Sequence, residues 1–187
     1  RAKMSPRLTP DAVHDGSDNM VQRRKIVTLT RSFPSALLLK VHESTRHEEP
    51  AMIKPIMKSE FFLRLPSEDA GPEDAATGQD LLDTLHEHEH ECVGLAANMI
   101  GVRKRIICVK DGNRALLMYN PQILEQVNAY QTSEGCLSLI GERPCTRYRR
   151  IKVEYLDENF VHRIKNFSGY TAEIIQHEID HCNGIVI

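Results

Sequence analysis

The sequence predicts an α+β fold, with mixed or antiparallel sheets packed around a C-terminal helix. Three observations support this class. A helical pattern occupies residues 73–91, short β-rich segments follow between residues 105 and 164, and a second helical pattern occupies residues 171–182. Helices and strands do not alternate in βαβ order, which disfavours a parallel sheet.

The first predicted helix has a conventional beginning. Pro72 fits the first turn, Glu73 and Asp74 lie near the positive end of the helix dipole, and leucines recur at positions 81, 82 and 85. Gly78, inside this segment, is expected to cost about 1 kcal/mol relative to alanine.

The middle of the chain predicts short strands separated by turns. The β-rich segments are Arg105–Val109, Ala115–Tyr119, Ile123–Val127, Ile151–Leu156 and Phe160–Ile164. Asp111-Gly112-Asn113 and Asn120-Pro121 are typical turn sequences, and residues 157–159 are expected to close a hairpin. The last helix should end at Asn183-Gly184.

Composition divides the chain at about residue 50. Residues 1–50 hold 9 basic and 6 acidic side chains, whereas residues 51–187 hold 15 basic and 20 acidic ones. The first part has few apolar groups to bury, so we expect residues 1–50 to be a disordered or loosely docked extension and residues 51–187 to be the folded domain. An organellar transit leader within residues 20–41, which contain no acid, is the alternative.

Charge and cysteine content narrow the classes of function. The net charge of -2 disfavours a direct nucleic-acid binder, and no apolar run approaches the roughly 18–20 residues that span a bilayer, so no membrane association is expected. Five cysteines, an odd number, do not fit a secreted disulfide framework. A reducing, cytoplasmic location is therefore expected.

His177-Glu178-Ile179-Asp180-His181 is the strongest local signal for chemistry. Residues four apart on a helix lie one turn above each other, so His177 and His181 can reach one metal ion. Glu178 between them is placed to accept a proton from water. Two satisfied surface histidines are the alternative interpretation.

A hydrolytic metal site needs a third protein ligand and an open position. Ile187 occupies the place where one class of zinc endopeptidases has its third histidine, so the ligand must lie upstream. Cys136 is the best candidate, in a glycine-containing loop, although it could instead be a small buried hydrophobe. Cysteines at positions 92, 108 and 145 compete with it, and Cys108 lies in an apolar strand typical of core.

Three segments together resemble the peptide deformylases, in their order and approximate spacing. They are Gly94-Leu95-Ala96-Ala97, Glu134-Gly135-Cys136-Leu137-Ser138 and Gln176-His177-Glu178-Ile179-Asp180-His181. The similarity covers residues 52–187. The resemblance implies an α+β fold and a hydrolase that removes the formyl group from the N-terminal formyl-methionine of nascent polypeptides. Contact with the ribosome is expected from this substrate class alone.

The resemblance also implies the roles of individual residues. Cys136, His177 and His181 would hold the metal, with Fe²⁺ as the natural ion and Zn²⁺ or Ni²⁺ as substitutes. Glu178 would act as acid and base. The backbone N–H of Leu137 would stabilise the developing negative charge on the formyl oxygen.

One family motif is altered here. The family has glycine where this chain has Cys92, and a glutamine that donates to the oxyanion where this chain has Met99. A thioether cannot donate a hydrogen bond. Asn98 lies one position early and would donate only after a backbone shift. Met99 therefore predicts weakened catalysis, and a weak paralogue that binds N-terminal peptides or acts on another acyl group is the alternative function.

The substrate pocket can be outlined from the same resemblance. An extended peptide is expected to pair with backbone at Val93, Gly94 and Gly135. Arg143 matches a family arginine that contacts a substrate carbonyl, although it could be a surface arginine. Ile174 lies one turn before His177 and is a candidate for lining the methionine pocket, or else for plain core.

Overall fold

The computed structural model describes residues 51–187. The predicted extension, residues 1–50, lies outside these residues, so the predicted domain boundary stays a prediction. No helix in the described part of the chain has the length and apolar character needed to cross a bilayer.

The fold is built on one five-stranded sheet and three α-helices. The helices are α1 (Glu60–Leu63), α2 (Ala75–Glu87) and α3 (Gly169–Cys182), with short 3-10 turns at Pro72–Asp74 and Ala97–Ile100. The strands are β1 (Gly94–Ala96), β2 (Ile106–Asp111), β3 (Arg114–Gly135), β4 (Glu142–Leu156) and β5 (His162–Ser168). Every strand pairs antiparallel with the next, in the order β1-β2-β3-β4-β5. The predicted α+β class is confirmed.

The core lies where the helices cover the first strands of the sheet. Four successive residues of β2, Ile106–Val109, are fully buried. Neighbouring side chains of a strand point to opposite faces, so both faces of β2 are covered. Both α2 and α3 pack against this strand, and α3 also contacts β1 and β4. The last helix is therefore held against the sheet along its length.

The Asn120-Pro121 turn prediction was wrong. Both residues lie within the continuous strand β3, where the pairing with β4 shifts register between Tyr119 and Gln122. Asn120 has a positive φ of 51°, but its side chain accepts from the Ala70 N–H (2.7 Å) and donates to the Ala70 carbonyl (2.8 Å). These bonds hold the irregular backbone in place as a bulge, so the strand does not reverse.

Two predicted boundaries also need correction. The helix predicted over residues 73–91 ends at Glu87, because residues 88–91 are polar, exposed for the most part, and form turns instead. Phe160 lies in the turn before β5, with a φ of 57°, and its ring packs 4.3 Å from that of Tyr119. The last helix ends before Asn183-Gly184, as predicted.

Gly78 is required by packing, although helix propensity disfavours it. A Cβ atom at this position would lie 2.1 Å from the Tyr119 hydroxyl oxygen and 2.9 Å from Leu117 Cδ2. The absence of a side chain allows α2 to approach β3 closely. The close contact requires glycine, although glycine costs about 1 kcal/mol in helix propensity relative to alanine.

Gly78→Ala should destabilise the fold despite the better helix propensity of alanine, since overpacking typically costs about 1–3 kcal/mol. Urea denaturation of the variant measures this loss. The double variant Gly78→Ala, Tyr119→Phe removes the nearest clashing atom and should recover part of the stability. An alanine variant as stable as the wild type would contradict the packing argument.

Candidate metal centre

Three potential metal ligands converge between the sheet and α3. Cys136 follows the end of β3 directly, and His177 and His181 lie on successive turns of α3. One ligand atom from each residue lies within 4.8 Å of the other two, and Cys136 Sγ is 3.2 Å from His181 Nε2. The structure thus brings together the three residues that the resemblance implied as ligands.

The donor set fits a metal ion. Zinc–sulfur bonds of about 2.3 Å and zinc–nitrogen bonds of about 2.0–2.1 Å place neighbouring ligand atoms at about the separation seen between Cys136 and His181. The Ser138 N–H donates to Cys136 Sγ at 3.4 Å, which holds the sulfur in position. Among the described residues, Cys108 is buried in β2 and Cys145 lies in β4, and neither belongs to such a group.

Glu134 and Arg147 support His177, a role that was not predicted from the sequence for either residue. Glu134 Oε2 lies 2.8 Å from His177 Nδ1, which leaves the Nε2 nitrogen for the metal. Arg147 donates two hydrogen bonds of 2.8 Å to the Glu134 carboxylate and one of 2.7 Å to Asp180. The buried guanidinium therefore connects β3, β4 and α3.

A signal for Arg147 was present in the sequence. Ile151, Val153 and Tyr155 of β4 are buried at every second position. Extending this alternation back along the strand places Arg147 on the buried face, but it places Arg149, which is exposed, there as well. An arginine there needs acidic partners, and Glu134 lies within the cysteine motif itself.

Burial and hydrogen bonding separate the protonation states of the site. Burial alone would raise the pKa of Glu134, but hydrogen bonds from His177 and Arg147 lower it to about 2. Burial would lower the pKa of His177, but hydrogen bonds with Cys136 and Glu134 raise it to about 10, so a metal ion must displace a proton from this ring to bind there. Burial lowers the pKa of His181 to about 3 and raises that of Glu178 to about 7. Glu178 can therefore exchange a proton near neutral pH.

The Glu178 carboxylate packs closely against β1, at Gly94, which has no side chain. The glutamate is 3% exposed, and its Oε2 has no hydrogen-bond partner within residues 51–187. A Cβ atom at Gly94 would lie 2.6 Å from Glu178 Oε1 and 2.6 Å from Ile174 Cγ2. Gly94 thus leaves room for the carboxylate at the metal centre.

A cavity of about 240 Å³ opens beside these groups. Nine of the residues predicted as metal ligands, catalytic groups or substrate contacts line it: Val93, Gly94, Met99, Gly135, Cys136, Leu137, Ile174, His177 and Glu178. His181 is buried behind the cavity wall. Arg143 lines a different cavity, beside Ile187, so its substrate contact stays a prediction that the cavity lining does not support.

In the altered motif, neither the Asn98 side chain nor the Met99 side chain offers a hydrogen-bond donor to the cavity. Met99 is buried, and its Sδ accepts from the Ala96 N–H at 3.5 Å. The Asn98 amide donates to the His181 carbonyl at 2.8 Å and does not line the cavity. Cys92 lines the cavity, but its thiol donates to the Gly94 carbonyl, and burial raises its pKa to about 12.

Comparisons with known proteins identify relatives of this fold and site. The family model for polypeptide deformylase matches residues 53–187. A peptide deformylase of Clostridium beijerinckii is 52% identical over 136 residues, which is 73% of this chain and 100% of that protein. Peptide deformylase 1 of Clostridium perfringens is 38% identical over 111 residues, 58% of this chain and 74% of that one.

Solved structures give the same family. A Met-Ala-Ser-bound class I type b peptide deformylase of Acinetobacter baumannii has a TM-score of 0.65 and 28% identity, over 73% of this chain and 96% of that one. The peptide deformylase of Thermus thermophilus has a TM-score of 0.64 and 33% identity, over 72% of this chain and 83% of that one.

Glu134→Gln should weaken metal binding about 10- to 100-fold, because it removes the negative charge that fixes the His177 ring. Competition with a chelator of known affinity measures this change. Glu142→Gln is the matched control, since Glu142 is an exposed acid on the neighbouring strand. Equal metal affinity in the wild type and Glu134→Gln would contradict the supporting role.

Proposed function

Since this chain belongs to the peptide deformylase family, we propose that it removes the formyl group from the N-terminal formyl-methionine of nascent polypeptides, as formate. The convergence of one cysteine and two histidines beside a buried glutamate, in one cavity, supports this proposal. The members of the family to which it is similar are named as deformylases, and such enzymes are hydrolases.

Cys136, His177 and His181 would hold the metal. A thiolate beside two imidazoles suits Fe²⁺, which we propose as the natural ion, with Zn²⁺ or Ni²⁺ as substitutes. When bound, such an ion acts as a Lewis acid that lowers the pKa of water and polarises a carbonyl oxygen. Glu134 and Arg147 fix the ring of His177 for this purpose.

Glu178 and Leu137 carry the proton and charge changes of the reaction. The Glu178 carboxylate accepts a proton from the attacking water and returns it to the departing amine, for which a pKa of about 7 is well matched. The backbone N–H of Leu137, at the cavity wall next to Cys136, would donate to the formyl oxygen.

The substrate peptide would lie along the free edge of β1. Within residues 51–187 this strand is at the end of the sheet and pairs only with β2, which would leave backbone groups near Val93 and Gly94 for an extended chain. Gly135 also lines the cavity, and Ile174 would offer an apolar surface for the methionine side chain. The reaction would release a peptide that begins with free methionine, and the Acinetobacter baumannii relative with Met-Ala-Ser bound supports a product of this kind.

The substrate class also suggests where the protein acts. Formyl-methionine begins new chains, so we propose a cytoplasmic enzyme that meets its substrates as they leave the ribosome, without direct contact to nucleic acid. Organellar targeting by residues 1–50 is the alternative.

Formate release from formyl-Met-Ala-Ser by the Fe²⁺ or Ni²⁺ form, prepared without oxygen, tests the function directly. Glu178→Gln should keep the metal and lose most of the turnover, because the proton acceptor is removed. Casein cleavage without formate release would favour an endopeptidase instead. Metal-loaded protein with no formate release would contradict the proposal.

Met99→Gln should raise kcat/KM for formyl-Met-Ala-Ser by about 10²–10³, because it adds an amide donor where the oxyanion forms. Metal content and Tm, measured in parallel, control for changes in loading and folding. An unchanged rate would mean that the missing donor does not limit catalysis. If the protein is nevertheless a weak deformylase, its low activity would then need a cause other than Met99.

A further inference from the structure

The cavity continues from the metal ligands along α3 towards its N-terminus. Ile174, Glu173 and Tyr170 line this extension, on the two turns that precede His177. With a rise of 1.5 Å per residue, Glu173 lies about 6 Å and Tyr170 about 10 Å along the helix from His177. If the formyl group of a substrate lies at the metal centre, a long side chain on its first residue would therefore reach this extension.

Glu173 brings a carboxylate to this part of the cavity. The side chain is partly buried and accepts a hydrogen bond from the hydroxyl of Tyr130. Burial and, to a smaller extent, the hydrogen bond with Glu173 raise the pKa of Tyr130 to about 12, so the phenol remains a donor. This hydrogen bond fixes the position of the Glu173 carboxylate.

No cation neutralises Glu173 within residues 51–187. No lysine or arginine of this part of the chain lies within ion-pair distance of its carboxylate, and none lines the cavity. Arg149 stacks on Tyr130 instead, with its guanidinium 4.8 Å from the centre of that ring, and it does not line the cavity. Exposed Glu91 also lies at the cavity wall, where its carboxylate is 2.6 Å from His88 Nδ1.

An apolar side-chain pocket excludes a cation, because burying an unpaired ammonium group is costly. A carboxylate in the cavity wall would offset this cost, while Ile174 would contact the apolar stem of the same side chain. We propose that the cavity accepts N-formyl peptides whose first residue is lysine or arginine as well as methionine, and that Glu173 receives the positive charge. This inference rests on the proposed deformylase function.

Formyl-Nle-Ala-Ser and formyl-Lys-Ala-Ser are the substrates that test it, because norleucine is lysine without its ammonium group. The wild type should hydrolyse the two with kcat/KM values within about tenfold of each other. In Glu173→Gln, kcat/KM for the lysine peptide should fall about tenfold relative to kcat/KM for the norleucine peptide. A loss of this size lies between those typical of exposed and of buried ion pairs. High salt should reduce the effect of Glu173.

Two control variants separate charge from structure. Tyr130→Phe removes the hydrogen bond and keeps the carboxylate, so the ratio of the two kcat/KM values should stay close to that of the wild type. Glu125→Gln removes an exposed charge on β3, paired with Lys152 and outside the cavity, and should not change the ratio. A general effect of net charge would instead change the ratio in Glu125→Gln as well.

The inference is wrong if the wild type rejects the lysine peptide by more than about a hundredfold, or if Glu173→Gln leaves the ratio unchanged. Hydrolysis of neither peptide by the metal-loaded protein would overturn the proposed function. In that case the dissociation constants of the products Lys-Ala-Ser and Nle-Ala-Ser, in the wild type and Glu173→Gln, still decide whether Glu173 receives the charge.

Discussion

A buried arginine fixes the geometry on which the rest of the site depends. Arg147 is 4% exposed and is paired on one side with Glu134 and on the other with Asp180. Removing one partner of such a buried pair typically costs about 3–5 kcal/mol, because the remaining charge is left without compensation. The pair therefore determines how α3 lies on the sheet, and through Glu134 it orients the ring of His177.

The metal centre forms where three parts of the chain meet. The end of β3 supplies Cys136, one side of α3 supplies the two histidines and Glu178, and β1 supplies Gly94 with space for the glutamate. Each part is held by the antiparallel sheet, because β1 joins β3 through β2. Small changes in the packing of α3 would thus separate the ligands by more than a metal ion tolerates.

Local signals in the sequence predicted the helix that carries His177 and His181, since the spacing of four residues fixes both imidazoles on one side. The same holds for the final hairpin, where alternation in β4 was regular. The length of β3 could not be predicted, because Asn120-Pro121 resembles a turn, and the contacts to Ala70 that make it a bulge span 50 residues.

The ligand set was accessible from motifs, but its supports were not. Arg147 stands among other arginines in the sequence, and its partners are 13 and 33 residues away. Alternation along β4 does not distinguish it from exposed Arg149, and although Glu134 lies in the cysteine motif, local sequence does not show that this acid and Asp180 flank the same arginine. Glu173 was missed for a similar reason, since a glutamate on a helix is usually solvated, and only the cavity shows that it faces the site.

X-ray absorption spectroscopy of the zinc-loaded protein tests the convergence of Cys136 with His177 and His181 most directly. We expect one sulfur at about 2.3 Å and imidazole nitrogens at about 2.0–2.1 Å from the ion. The sulfur contribution should disappear in Cys136→Ala. A wild-type spectrum without sulfur, or a sulfur contribution that persists in Cys136→Ala, would contradict this account of the site.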